Sequence, residues 1–218
     1  MNKNKFLITS LVSTFLSLAL FVYLSFQHYW IKLGISSGPS ICNINAGFNC
    51  DVVASSQYAS LLGVPIAVLG FFTYSMIFML LLGSFIAISE NHERYKRYGF
   101  YLNLFTNIVS IVMGIISSIY IGTFCLFCVA SYTLSFISSF MIWKSLEEDA
   151  LPNILQDIKE LFIEHKFVGI FVVGIPAISY FFHTIFLDSY GFNQMNLGIK
   201  SAIANYKAAP IQNLDYKK

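Results

Sequence analysis

The sequence predicts an all-α integral membrane protein, and its composition and charge distribution are the basis. The chain has 218 residues, of which 56% are hydrophobic and only 11% are charged. A soluble domain carries about a quarter charged residues. Four long runs contain no charged residue at all: 6–31, 52–89, 98–143 and 167–187. Because a helix needs about 20 apolar residues to cross a bilayer core, each run can hold at least one membrane span.

The four runs predict five transmembrane helices. Residues 6–31, 64–88 and 167–187 provide one span each. The run over residues 98–143 is long enough for two helices with a turn between them. Gly122 marks this turn, since glycine interrupts an apolar helical pattern.

The positions of the basic residues predict the orientation in the membrane. They cluster before the first span, between the second and third spans, and between the fourth and fifth: Lys3, Lys5, Arg94, Lys96, Arg97, Lys144, Lys159 and Lys166. Cytoplasmic loops are enriched in Lys and Arg, so the N-terminus is expected in the cytoplasm. The net charge is only +2, which argues against a nucleic-acid partner.

The first outward loop carries two of the four cysteines. Residues 34–50 are rich in Gly, Pro, Ser and Asn, a composition typical of irregular loops, and they contain Cys42 and Cys50. Residues 51–62 predict a short helix at the membrane interface, which Asn49 or Asp51 can cap. This helix is too short to span a bilayer.

The segments after the fourth span predict a connection, a fifth helix and a tail. Residues 144–166 contain an amphipathic pattern expected to lie on the cytoplasmic surface. Residues 167–187 form the fifth span. Residues 188–218 are polar and lack a core, which predicts an extracytoplasmic tail.

The other two cysteines form a Cys-x-x-Cys pair at the outward start of the fourth span. Cys125 and Cys128 share one helix face, and the helix N-terminus favours a thiolate on the first sulfur. A structural disulfide closing so small a loop would add little stability, so the spacing favours redox chemistry. A metal site is not expected, because one pair lies in a loop and the other in a membrane helix.

Two cysteine pairs on one side of a membrane suggest an electron relay. Thiol–disulfide exchange passes through a mixed disulfide, so a loop pair can meet a soluble partner and then exchange with the helix pair. The helix pair lies at membrane depth, which favours a lipid-soluble acceptor such as a quinone. Tyr132 shares a face with Cys125 and Cys128, and its hydroxyl can donate to a quinone carbonyl. Interfacial packing is an equal explanation for Tyr132 by itself.

The order and spacing of the motif residues resemble the vitamin K epoxide reductase family. The residues that carry the resemblance are Cys42, Cys50, Asp51, Ser55, Ser56, Gly63, Val64, Pro65, Cys125, Cys128 and Tyr132. The chain is most similar to the bacterial homologues that form disulfides, which implies a bacterial plasma-membrane protein. The resemblance covers about residues 6–143 and implies a four-helix bundle around a quinone, with a short lid helix. The fifth helix is additional to this bundle.

The resemblance also implies a role for each of the four cysteines. Cys42 would take electrons from a reduced thioredoxin-like partner outside the cytoplasm. Cys50 would pass them to Cys125, and Cys128 would reduce the quinone, either ubiquinone or menaquinone.

The resemblance also implies that two further residues bind the quinone. Ser56 matches the family's Ser or Thr on the lid helix, and Tyr132 matches its quinone-side tyrosine. The expected division of the chain is a catalytic domain over 1–143, a connection with the fifth helix over 144–187, and a tail over 188–218.

Two other functions remain open on the sequence. One is reduction of a quinone epoxide at the same site. The other is a non-catalytic membrane protein whose disulfides are structural.

Overall fold

The computed structural model describes residues 3–34, 40–45, 47–86, 92–146 and 166–191, together with positions 159, 163, 199, 200 and 203. Most of the predicted amphipathic connection and of the C-terminal tail therefore falls outside the described residues.

The described residues contain five helices that are long and apolar enough to cross a membrane. They are α1 (Lys3–Lys32), α3 (Ile66–Phe85), α4 (His92–Ile116), α5 (Leu126–Ser145) and α6 (Lys166–Phe186). A short helix, α2 (Cys50–Ser55), lies between α1 and α3. The predicted all-α membrane fold is confirmed, and the chain is a multi-pass membrane protein.

The predicted turn between the third and fourth spans is also confirmed. After α4 the chain continues through a wider helical turn, Ser117–Ile121. Gly122 then takes a left-handed conformation with φ of 74°, which glycine adopts without steric cost. Its backbone N–H donates to the carbonyl of Ser117 at 2.9 Å, which closes the helix end.

The first four long helices form a closed bundle. α1 packs against α5 and α3, and α4 packs against both α3 and α5. α6 lies outside this bundle against α3. Near the end of α1 the Tyr29 hydroxyl is 2.9 Å from Nδ1 of His183 on α6, and the Tyr29 ring stacks on Phe186 at 4.2 Å between centroids.

The helices of the bundle bury small polar side chains and expose large apolar ones. On α1 the buried small polar residues are Ser10, Ser13, Thr14 and Ser17, and the exposed apolar residues include Ile8, Val12, Phe15 and Leu16. Small residues let membrane helices approach closely, whereas lipid tails solvate large apolar side chains. This distribution is the one expected for a bundle that faces lipid.

A layer of hydrogen bonds joins α4 to α5 in the middle of the bundle. The Asn103 amide donates to Ser138 at 2.8 Å, and the Asn107 amide donates to Ser139 at 2.7 Å. The Ser135 hydroxyl donates to Asn107 at 2.5 Å. Because a polar group in hydrocarbon is costly without a partner, this layer fixes the facing register of the two helices.

The predicted short helix after the loop is present, but it ends seven residues before the expected limit at residue 62. α2 ends at Ser55. A single 3₁₀ turn, Gln57–Ala59, follows, and then a hairpin of two short strands, β1 (Ser60–Leu61) and β2 (Val64–Pro65).

Backbone geometry explains why the helix stops early. Ser56 has an extended conformation, with φ of −65° and ψ of 155°. Leu62 and Gly63 both have positive φ, 52° and 88°, as the two central residues of a tight hairpin turn require. Leu61 and Leu62, whose spacing predicted a longer helix, belong instead to this hairpin, in which Ser60 pairs with Pro65.

Candidate redox site

The two loop cysteines form a disulfide. The Cα atoms of Cys42 and Cys50 are 5.9 Å apart. Cys50 is the first residue of α2, and Cys42 lies in the preceding loop. The two residues are 0% and 1% exposed, so this disulfide is shielded from solvent.

A backbone bridge sets the loop beside the start of α5. The N–H of Asn49 donates to the carbonyl of Phe124 at 2.9 Å, and the N–H of Phe124 donates to the carbonyl of Gly47 at 2.9 Å. Cys50 and Cys125 are the residues that follow directly on the two paired segments. Both lie in one buried cluster that also includes Cys42 and Leu24.

The helix cysteines are free thiols at the start of α5. Cys125 is the N-cap of α5, and its sulfur accepts the backbone N–H of Cys128 at 3.2 Å. Cys125 is buried, whereas Cys128 is partly exposed. The loop pair, Cys42 and Cys50, is thus oxidised, and the helix pair, Cys125 and Cys128, is reduced.

The surroundings of Cys125 favour its thiolate. A hydrogen bond from the Cys128 thiol is the largest cause that lowers the pKa of Cys125; burial opposes it, and the backbone N–H groups of Cys128 and Phe127 reinforce it. A low thiol pKa increases the thiolate fraction, which is the nucleophilic form.

A carboxylate holds the Cys42 side of the loop. Asp51 accepts from the Ser40 backbone N–H at 3.1 Å, from the Ser40 hydroxyl, from the Asn43 amide at 2.5 Å and from the Gln27 amide at 3.0 Å. We call these four residues the Asp51 clamp. It connects α1, the loop and the first turn of α2.

The Asp51 clamp keeps its carboxylate ionised. Burial by itself raises the pKa of Asp51, but the hydrogen bonds from Ser40, Asn43 and Gln27 together outweigh it and the pKa lies below its usual value. The clamp also contacts both loop cysteines. The Gln27 amide lies 3.9 Å from the Cys42 sulfur, and Asn43 accepts the backbone N–H of Cys50 at 2.8 Å.

A comparison with known families identifies the protein class. The vitamin K epoxide reductase family matches residues 7–143, which is more than half of the chain. The chain belongs to the vitamin K epoxide reductase family. The matched segment contains both cysteine pairs and the Asp51 clamp, and the resemblance to this family seen in the sequence is confirmed.

One curated relative is named as a redox enzyme. The chain is 28% identical over 157 residues to the thiol-disulfide oxidoreductase LTO1 of Arabidopsis thaliana. The alignment covers 70% of this chain and 39% of that protein, so the chain spans about two fifths of the length of its relative. Membership of the vitamin K epoxide reductase family and this relative both support an oxidoreductase.

The two residues expected to contact a quinone lie in different settings. Tyr132 is on α5 one helical turn beyond Cys128 and is half-buried. Ser56 is the C-cap of α2, and its hydroxyl donates to the carbonyl of Val53 at 2.8 Å. Tyr132 is therefore near the helix pair, whereas the hydroxyl hydrogen of Ser56 is bonded to the end of α2.

Sequence reasoning missed most of the Asp51 clamp in this member of the vitamin K epoxide reductase family. In the sequence Asp51 is one of two candidate helix caps and one of the residues that carry the family resemblance. The structure gives the cap to the other candidate, Asn49, whose side chain accepts the N–H of Val52 at 3.1 Å. The available signal was Gln27, a large amide inside an uncharged run. Burying such an amide is costly without partners, but the sequence does not say which partners it has.

Proposed function

We propose that this chain is a thiol oxidoreductase that takes electrons from an extracytoplasmic thioredoxin-like protein and passes them to a membrane quinone. The loop pair would exchange with the partner, and the helix pair would exchange with the quinone. The activity would form disulfides in the partner. The name of the curated relative supports the thiol–disulfide part of this proposal.

The observation that carries the proposal is the backbone bridge between Phe48 and Phe124. It brings the segment before Cys50 alongside the segment before Cys125. Exchange between two pairs requires an attack of one sulfur on another, and a shared buried cluster supplies both proximity and exclusion of water. Two unrelated structural disulfides would not need this register.

The first proposed step is an attack of the partner's thiolate on the Cys42 sulfur. The bond between Cys42 and Cys50 breaks, and Cys50 leaves as a thiolate with the electron pair. A second thiol of the partner then attacks the partner sulfur of the mixed disulfide. This releases Cys42 and leaves the partner with a disulfide.

The second proposed step moves the electrons to α5. The Cys50 thiolate attacks Cys125 of the oxidised helix pair, and Cys128 leaves as a thiolate. Cys42 then attacks Cys50, which restores the loop disulfide and releases Cys125. An oxidised loop pair with a reduced helix pair is the state that this step produces.

The last proposed step closes the helix pair. Cys125 and Cys128 form a disulfide, and their two electrons and two protons reduce a quinone to the quinol. Tyr132 would donate a hydrogen bond to a quinone carbonyl. For Ser56 to do the same, its hydroxyl hydrogen would have to leave the Val53 carbonyl. The quinone would be ubiquinone or menaquinone.

The proposed location is a bacterial plasma membrane with the N-terminus in the cytoplasm. The cysteine end of the bundle would then face outward, into the oxidising compartment in which disulfides form and persist. Residues 1–143 would be the catalytic domain, 144–187 the cytoplasmic connection and fifth helix, and 188–218 an extracytoplasmic tail. Ile41 and Ile44, which are 86% and 63% exposed on either side of Cys42, offer apolar contacts to the partner.

The test is an anaerobic reaction of the fully reduced protein with a soluble ubiquinone or menaquinone analogue. We expect quinone absorbance to fall in step with the free-thiol count. Cys128→Ala should abolish this loss, although its loop pair can still form a disulfide when diamide is added as an oxidant. Cys42→Ala should block exchange with a reduced thioredoxin. Ser55→Ala is the matched control, because Ser55 is exposed and, within the part of the chain that the structure describes, its hydroxyl bonds only to the Val52 carbonyl of its own helix.

Two other results would favour the alternative functions. Turnover of a quinone epoxide without oxidation of thiols by the quinone would favour the epoxide reductase. No reaction with either substrate, with both pairs inert to mild reductant, would leave the disulfides structural.

A further inference from the structure

The burial of Cys42 conflicts with its proposed role, and the inference here rests on that proposed function. An incoming thiolate must reach the Cys42 sulfur along the axis of the disulfide. Cys42 is 0% exposed. The loop disulfide therefore has to be uncovered before any exchange, and the contacts that cover it decide how readily this happens.

The two halves of the loop are held in different ways. The Cys50 half starts α2 and is fixed by two backbone hydrogen bonds to Phe124. On the Cys42 half, the side chains of Ile41 and Ile44 point away from the protein. Among the described residues, its backbone hydrogen bonds join Asn43 to Ser40 and the pair Ile44 and Asn45 to Phe48, within the loop itself.

The Asp51 clamp supplies the connection of the Cys42 half to the helices. Ser40 and Asn43, on either side of Cys42, both donate to Asp51, and Gln27 joins Asp51 and Ser40 to α1. The Gln27 amide donates to Ser40 at 2.7 Å and lies 3.9 Å from the Cys42 sulfur. The Gln27 side chain is itself buried.

We infer that Asp51 and Gln27 are positioning residues for Cys42, which hold the loop disulfide shielded until their bonds to Ser40 and Asn43 break. Neither residue takes part in the electron transfer. Their bonds set the rate at which the Cys42 sulfur becomes accessible to a thiolate. Cys50 remains in place beside Cys125 while the Cys42 half moves.

Opening and closing of the Cys42 half of the loop are two separate events in this scheme, whereas a simple relay has neither. Opening exposes Cys42 to the partner. Closing returns Cys42 to Cys50, where it displaces Cys125 from the mixed disulfide and completes the transfer of electrons to α5. Hydrogen bonds to a charged group are stronger than neutral ones. The four hydrogen bonds to the Asp51 carboxylate therefore hold the Cys42 half of the loop strongly. They can still break without any helix unfolding.

The experiment measures reduction of the loop disulfide by dithiothreitol in a Cys125→Ala/Cys128→Ala background of the full chain. One dithiothreitol sulfur attacks Cys42, and Cys50 leaves as a thiolate. The second dithiothreitol sulfur then attacks the first, which closes the oxidised ring, breaks the mixed disulfide and releases Cys42 as a thiolate. Maleimide labelling and mass spectrometry count the thiols released with time. Neither quinone nor partner is present, so failure of this inference is distinguishable from failure of the proposed function.

Two variants remove the clamp in different ways. Asp51→Asn keeps the shape and loses the charge, and Gln27→Met keeps the length and loses the amide. We expect reduction to be about tenfold faster in each, as loss of one hydrogen bond to a charged group allows. The double variant should be little faster than either one, because the residues act as a unit. Ser55→Ala should match the parent.

A second readout excludes general loosening of the fold. In the four-cysteine protein with its loop disulfide intact, maleimide labels Cys125 and Cys128, and the clamp variants should leave this labelling rate unchanged. Unchanged loop reduction in Asp51→Asn and Gln27→Met would overturn the inference. So would an equal acceleration at both cysteine pairs, since it would mean that the whole cysteine end had opened.

Discussion

At the scale of single residues, the four cysteines have four different environments. Cys42 is buried beside a carboxylate clamp, and Cys50 begins a short helix. Cys125 is a helix cap whose sulfur accepts a backbone N–H, whereas Cys128 lies inside α5. Neighbouring donors therefore bias the negative charge within the helix pair toward Cys125.

The pH dependence of Cys125 alkylation tests this bias. Cys128→Ala removes the thiol that is the largest cause of the lowered pKa of Cys125, so the pKa should rise and alkylation should begin at higher pH. The measurement is the rate of iodoacetamide labelling of Cys125 against pH, read by mass spectrometry. Cys128→Ser is the control, since its hydroxyl can still donate and should keep most of the shift. An unchanged profile in Cys128→Ala would contradict the assignment.

At the scale of elements, α2 joins the loop to the bundle although it has only six residues. Its position depends on its first turn. Asn49 caps the helix through its side chain and bonds to Phe124 through its backbone. One residue thus fixes both the start of α2 and the register of Cys50 with Cys125.

Asn49→Ala should destabilise the protein by about 1 kcal/mol, the usual cost of losing a helix cap. The side-chain acceptor for Val52 is lost, whereas the backbone bond to Phe124 can remain. The measurement is the denaturant midpoint of the purified protein with the loop disulfide intact. Asn49→Asp retains an acceptor at the cap and should stay close to the parent. Equal stability of all three proteins would show that α2 does not depend on this cap.

At the scale of the whole molecule, the bundle is layered along its axis. The cysteine cluster occupies one end, the Asn and Ser layer the middle, and an apolar cluster of Leu7, Ile77, Leu81 and Ile142 the other end. The apolar end closes the bundle below the polar layer. The four cysteines therefore lie together at one end of the bundle, and α6 packs on the outside of this arrangement.

The orientation of the bundle in the membrane is testable by labelling from one side. In a cysteine-free background, Asn45→Cys places a thiol at the cysteine end and Lys166→Cys places one at the start of α6. Both parent side chains are exposed. Because basic residues mark the cytoplasmic side, a membrane-impermeant maleimide added to whole cells should label Asn45→Cys and not Lys166→Cys. Lysis should expose both, and the reverse pattern in whole cells would invert the proposed topology.

Much of the fold is predictable because the membrane imposes a local rule. Each span must satisfy its own backbone hydrogen bonds as a helix, so uncharged runs locate the five helices and Gly122 locates the turn between α4 and α5. The same reasoning gave α2 too great a length. The stretch after Ser56 lies at the cysteine end outside the spans, and its apolar residues form a hairpin there.

The candidate site was predictable only in part. The spacing of Cys125 and Cys128 is local and visible in the sequence. The Asp51 clamp is not, because Gln27 lies 24 residues before Asp51 and meets it only when α1 is packed beside the loop. No periodic pattern links an amide in a membrane helix to a carboxylate in a short one.

The sequence by itself determined that this protein crosses a membrane, where its helices lie, which four cysteines it carries and which family it resembles. These properties follow from hydrophobic runs and from short spacings along the chain. Only the tertiary structure decided that Cys50 is aligned with Cys125, that Cys42 is buried, and that Gln27 and Asp51 are hydrogen-bonded beside it. Such contacts join segments far apart in the chain, and they depend on how the helices pack and on which polar groups must find partners once water is excluded.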